Sequence, residues 1–256
     1  MTARLEITIL GCGSSGGVPR LGGDWGDCDP ADPRNTRRRC SILVSRRTAQ
    51  GVTRVLIDTS PDMRAQLLDA GVGTLDAVLY THAHADHVHG IDDLRMIVHN
   101  MRKRLQVWAD GETADALISR FGYAFVQPKG SSYPPICDLN TLDGPVTISG
   151  AGGPLTLIPF SVDHGSIKAL GFRIAGVAYL PDVSAIPDAV AVFLIAVAGL
   201  GPSSSCARTN SSASSSADRP RMRRGEESRS WAVNSDRPSQ VKVSAISNST
   251  QEPAGP

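Results

Sequence analysis

A chain of 256 residues is long enough to bury a sizeable core, as one large domain or two small ones. Its 26 Lys and Arg against 25 Asp and Glu leave a formal charge of +1, which excludes a global field able to hold nucleic acid or an anionic membrane. An anionic substrate would need a local site.

Up to about residue 193, short β-branched runs alternate with amphipathic stretches, the pattern of a layered α/β domain. Strands are expected at 5–10, 41–45, 54–58, 77–81, 105–108, 155–162 and 170–180, the last folding back as a hairpin at Ala175-Gly176. Helices are expected at 60–70, with Ser60 as N-cap and Pro61 at the first position, then at 87–101 and 112–125. The opening run lacks the basic, apolar and cleavage segments of a signal peptide, so a cytoplasmic location is expected. The longest apolar stretch, 189–200, falls short of the roughly 18 to 20 residues a bilayer span needs.

The character changes at the end: residues 203–256 hold 15 serines and few strong hydrophobes. Such a segment buries too little apolar surface to offset its ordering entropy. The expected organisation is a folded domain over 1–193 and a disordered Ser/Arg-rich tail over 194–256, read as the product of a shifted frame after about Phe193 or as a genuine tail. Five scattered cysteines form no Cys-x-x-Cys pair and read as reduced thiols.

Four of the six histidines lie within 82–89, in Thr-His-Ala-His-Ala-Asp-His-Val-His. His82 and His84, two apart at the end of an apolar strand, point to one side and can reach one metal. Asp86 and His87 follow where the chain leaves the strand and can turn toward a second. Imidazole and carboxylate suit zinc, and a catalytic site keeps a position for water. His164, in Asp-His-Gly at a strand end, is placed to complete three imidazoles on the first metal, and Asp182, in Leu-Pro-Asp, to bridge both. Asp86 and Asp182 are the candidate catalytic carboxylates. Asp58 ends an apolar strand; it reads either as an acceptor behind a ligand histidine, bonding the ring or its backbone from the side away from the metal, or as part of a helix start. His89 and His99 are left outside the ligand set.

These residues together resemble the metallo-β-lactamase superfamily, over roughly residues 5–193. The resemblance implies a four-layer αββα sandwich with metals at the rim between two sheets, incomplete here at its C-terminal end. Leu-Gly-Cys-Gly-Ser-Ser-Gly-Gly-Val-Pro at 10–19 and Gly-Ile-Asp-Asp-Leu-Arg at 90–95 look like the cyclic phosphodiesterase branch, the accessory enzyme of carbon–phosphorus lyase and its relatives. That branch implies a metal-dependent hydrolase acting on small phosphodiesters, cyclic ones included, through a hydroxide bridging two Zn2+ ions, with Mn2+ an alternative. Two departures stand out. Some members carry a cysteine-rich structural zinc site, whereas Cys28 stands alone in its segment; and no histidine follows His164 to match the family's last metal ligand, leaving the second site one ligand short.

Three other readings stay open: a catalytically impaired remnant, a thioester or lactone hydrolase, and a tRNA 3′-processing nuclease. The nuclease's gripping arm is inserted between the residues matching His164 and Asp182, where 17 residues stand here, too few for it. A small-molecule substrate is therefore expected, with no stable nucleic-acid partner and no membrane. Gly11-Cys-Gly13-Ser-Ser-Gly16 matches a dinucleotide fingerprint, but glycines and Pro19 occupy the place of its helix. A glycine-rich loop beside the metals is the better role.

Overall fold

A computed structural model describes residues 3–191 together with 232–237 and 240–247. The chain begins with β1 (Ala3–Gly11), β2 (Ser41–Thr48) and β3 (Gly51–Ile57), an antiparallel meander. Helices α1 (Met63–Ala70), α2 (Ala85–Val88), α3 (Leu94–Met101) and α4 (Gly111–Phe121) then carry the chain between β4 (Ala77–Leu79), β5 (Leu105–Ala109) and β6 (Cys137–Thr141). The run from β3 to β6 is parallel, as expected where helices make the crossovers. β7 (Val146–Ile148), β8 (Leu155–His164), β9 (Ile167–Ile174) and β10 (Val177–Tyr179) form a separate four-stranded antiparallel sheet.

Side-chain alternation explains the layers. On β3, Val55 and Ile57 face one core while Leu56 faces the other; on β4, Ala77 and Leu79 oppose Val78. One core lies against Leu67, Leu94, Ile97 and Leu117 of the helices, and the other lies between the sheets, where Leu157, Phe172 and Ile174 meet Ile42 and Val44. Both faces of these central strands are buried, hence their unbroken apolar sequence. On the outer side of the small sheet, Phe160, Val162 and Ala169 pack with Leu180, Val183 and Val190, and residues 188–191 begin a helix there. The α, β, β order of the expected sandwich is present, with its fourth layer begun.

Several expectations change in detail. The helix expected at 87–101 is three pieces: α2, a 3-10 turn at Ile91–Asp93, and α3. Gly90 breaks it, because its backbone lies so close to residue 60 that a Cβ would stand 2.1 Å from the Ser60 carbonyl oxygen. α1 starts at Met63 with Asp62 at its N-cap position; Ser60 instead caps the preceding turn, its hydroxyl accepting from Asp62 N–H at 3.2 Å. α4 ends at Phe121, the remainder to Ala124 being a 3-10 turn. The expected hairpin is present, with Ile174 opposite Val177 and Ala175 at φ 51. Strands β6 and β7 were not foreseen: β6, Cys-Asp-Leu-Asn-Thr, is polar because it is an edge strand.

Within the segment expected to be a disordered tail, two strands are described. β11 (Ala232–Arg237) and β12 (Gln240–Ser247) pair antiparallel, and β12 continues the large sheet along β1, from Ala3 opposite Ser247 to Ile9 opposite Val241. Val241-Lys-Val243-Ser-Ala245 alternates with the period of a strand, a local signal outweighed by the serine content around it. The rest of the tail lies outside the described residues, apart from these two strands. No helix among the described residues is long and apolar enough to cross a membrane.

Candidate metal centre

The cluster forms where β4 ends and the chain runs on in extended conformation to His84 before turning into α2. Two sets of ligand atoms result, each within 4.8 Å: His82, His84 and His164, and His82, His87 and Asp182. His82 belongs to both, so the sets adjoin. His164 reaches the first from the end of β8, its Nε2 3.3 Å from His84 Nδ1. Asp182 enters from the segment after β10, with Oδ2 2.8 Å from His87 Nε2 and 3.6 Å from His82 Nε2. Asp86 stands at the margin of the second set, its Oδ2 3.6 Å from His87 Nε2. All six sequence-derived candidates thus converge; His89, exposed, turns its ring edge to Phe121 instead.

Beneath the cluster lies Asp58, fully buried and at φ 65. Its carboxylate accepts from Thr81 N–H, from the Thr81 hydroxyl and from His87 Nδ1, each at 2.8 Å. Because the Thr81 hydroxyl proton goes to Asp58, its oxygen is free to accept from His82 Nδ1, 3.0 Å away. This network turns the Nδ1–H of His87 to Asp58 and that of His82 to Thr81, and points the Nε2 of each ring into the cluster. Asp58 is therefore the acceptor behind His87 and, through Thr81, behind His82. Thr81 was not singled out from sequence; its position directly before His-x-His was the only signal.

The backbone of α2 is clamped from the same segment. Thr59 N–H donates to the His87 carbonyl at 2.8 Å and Gly90 N–H to the Thr59 carbonyl at 2.9 Å, while the Thr59 hydroxyl meets Val88 O and Tyr80 Oη. On the far side the Arg120 guanidinium donates to the Ala83 carbonyl. The loop carrying the histidines is thus fixed from below and beside.

Electrostatics divide the two buried imidazoles. Burial, with the neighbouring His87 and His84 rings, pushes His82 down to about 3, so its ring is neutral. Burial also opposes a charged His87, but the Asp58 and Asp182 carboxylates on either side outweigh it and raise the ring to about 10. The same contact with His87 holds Asp182 below the usual carboxylate range.

The residues fit a metal. Nε2 of His82 and Nε2 of His87 are buried and make no hydrogen bond among the described residues; His87 Nε2 lies close to Asp182 Oδ2 but off the line a hydrogen bond requires. Buried polar atoms without partners are rare, and two imidazole nitrogens plus a carboxylate aimed at one point are a cation's donor set. The glycine-rich loop adjoins by close packing rather than by a phosphate cradle: a Cβ on Gly11 would stand 2.1 Å from the Arg39 carbonyl oxygen.

An αββ-layered domain with a His/Asp cluster at the ends of its strands defines the metallo-β-lactamase fold. The family model described as the β-lactamase superfamily domain matches residues 53–197, and the chain belongs to that superfamily. The crystal structure of a new diphosphatase from the PhnP family is similar at 35% identity, with a TM-score of 0.63 over 76% of this chain and 71% of that one. Zinc-bound PqqB from Methylobacterium extorquens shares the fold at 20% identity and a TM-score of 0.52, over 72% and 68%. Among curated proteins, an octanoyltransferase of Porphyromonas gingivalis is 37% identical over 71% of this chain and 35% of its own length. A ribonuclease Z of a Bradyrhizobium species is 30% identical over 61% and 52%. The chain thus spans about a third to a half of those two proteins.

Proposed function

We propose that this protein is a metal-dependent hydrolase of small phosphodiesters, cyclic ones included. The observation that carries the reading is the pair of adjoining donor sets sharing His82, which suits two neighbouring divalent cations. His82, His84 and His164 would hold the first; His87, with Asp86 at its edge, the second; and Asp182 would serve both. The imidazole majority favours zinc, with manganese the alternative where carboxylates share the site. When bound, the cations supply positive charge that makes a water acidic near neutrality and offsets the charge gathering on the phosphoryl oxygens.

The chain's own residues do the rest. Asp58 and Thr81 fix which imidazole nitrogen faces the site, and the Thr59 clamp holds α2 in register. Buried His82 and His87 form the floor, while the more exposed His84, His164 and Asp182 leave the mouth open to a substrate. The hairpin of β9 and β10 occupies the stretch between His164 and Asp182, which favours a small substrate over tRNA. The PhnP-family diphosphatase supports hydrolysis at phosphorus on this scaffold.

Purified protein assayed for metal content and for hydrolysis of bis-p-nitrophenyl phosphate tests this. Two metals with turnover are expected. One or none without turnover would overturn the reading, and a preference for a thioester over the phosphodiester would overturn the substrate class.

A further inference from the structure

His164 and Asp182, the last two candidate ligands in the chain, reach the cluster from the end of β8 and from the segment after β10. β10 lies on the far side of β9 from β8, yet Ala185 pairs with Asp163 on the edge of β8 that faces away from β9. The chain from Tyr179 to Ala185 therefore crosses the β8–β9 pair, and Asp182 stands within the crossing. Leu180 and Val183, on either side of it, pack with Phe160, Val162 and Ala169 on the outer face of the sheet. A carboxylate on so short a crossing keeps its direction only if the chain is pinned beyond it.

The pin is Ser184. Its N–H donates to the Asp163 carbonyl at 2.7 Å, and Asp163 N–H donates to the Ala185 carbonyl at 3.0 Å. The Ser184 hydroxyl adds two bonds, donating to the same Asp163 carbonyl at 3.0 Å and accepting from Gly165 N–H at 3.0 Å. A hydroxyl has one proton and two lone pairs, and a carbonyl has two lone pairs, so all of these bonds can be made at once. Asp163 and Gly165 are the residues on either side of His164. One side chain, two positions after Asp182, thus grips the backbone on both flanks of His164. The grip falls where the chain turns: Gly165, at φ 60, opens the turn into β9 that sets His164 opposite Ile167. From there the His164 ring meets the His82 and His84 rings, with centroids 5.1 and 5.0 Å away.

We infer that Ser184 is a positioning residue for the metal centre, setting His164 against Asp182 by holding the backbone around one and closing the segment that carries the other. The inference rests on the metal-binding part of the function proposed above, not on the choice of substrate. Removing the hydroxyl frees Gly165 N–H and with it the turn at His164, while the backbone bonds of residues 184 and 185 that pin Asp182 remain. The effect therefore falls on the set of His82, His84 and His164.

Ser184→Ala in the full chain, titrated with zinc against a chromophoric chelator and with cobalt(II) by its visible bands, tests this. One of two sites is expected to weaken about tenfold, the low end of the range for a partner behind a metal-binding histidine, because these bonds are exposed and water can replace them. The cobalt bands of that site should change, while the urea midpoint of the metal-free protein stays near that of the wild type. Ser184→Thr keeps the hydroxyl and should restore both affinity and bands. Affinities within about twofold of wild type with unchanged bands overturn the inference. So does a loss of metal that tracks a fall in the metal-free urea midpoint, or a threonine variant that restores nothing. A wild-type chain that binds no metal overturns the metal centre and this inference together. One that binds two metals but hydrolyses no phosphodiester rejects the proposed substrate alone, and the affinities of the two variants still decide Ser184.

Discussion

Replacing Asp58 with asparagine isolates the charge of the carboxylate that stands behind the Nδ1 side of both buried imidazoles, directly for His87 and through Thr81 for His82. Asparagine has nearly the same volume and is tolerated at positive φ, so the backbone at φ 65 is not further strained. What changes is acceptance. With its oxygen turned to Thr81 N–H, the new amide presents N–H groups to the Thr81 hydroxyl and to His87 Nδ1, both of which now donate to Asp58. The charge-assisted bond to His87 is lost, about 1.5–3 kcal/mol. Losing the outer partner of a metal-binding histidine ordinarily lowers affinity 10–100-fold, or about 1.4–2.7 kcal/mol, so the two estimates agree. The loss should be unequal. His87 touches Asp58 directly, whereas His82, the only member of the first set linked to it, does so through the Thr81 hydroxyl. Zinc titrated against a chromophoric chelator should therefore show one site weakened 10–100-fold and the other much less affected. Both sites retaining wild-type affinity within about twofold would refute the tautomer argument and the role assigned to Asp58.

Gly90→Ala forces a methyl group against the Ser60 carbonyl and should destabilise the protein by about 1–3 kcal/mol, read as a shift in urea midpoint, while weakening zinc binding through displaced α2. Thiol reactivity should follow burial: with a disulfide reagent at pH 8, exposed Cys12 should react, whereas Cys40 and Cys137, whose thiols burial pushes up to about 12, should stay unmodified until the chain unfolds.

The legible parts of this molecule are those where one local pattern has one physical solution. Val-Leu-Ile at 55–57 and Ala-Val-Leu at 77–79 can be buried on both faces only in the middle of a covered sheet, and they are. His82 and His84 can share a cation because an extended chain turns alternate residues the same way, and that holds although β4 has already ended at Leu79. Where the sequence misled, the deciding partner is remote. Nothing within 87–101 says that Gly90 must pass against the Ser60 carbonyl, so a broken helix reads as a continuous one. β6 is polar because its outer edge is unpaired, and β12 becomes a strand only where β1 offers it a register, seven residues of pairing that composition cannot express. The same distinction runs through the site. The candidate ligands stand in the motif, but what aims His82 and His87 is Asp58 at φ 65, reached across the sheet and bonded to residues 23 and 29 positions away. Ligand identity is a local property of sequence, whereas the tautomer and direction that make a nitrogen a ligand are tertiary, and Thr81 joins the two by lying in the motif while donating to Asp58.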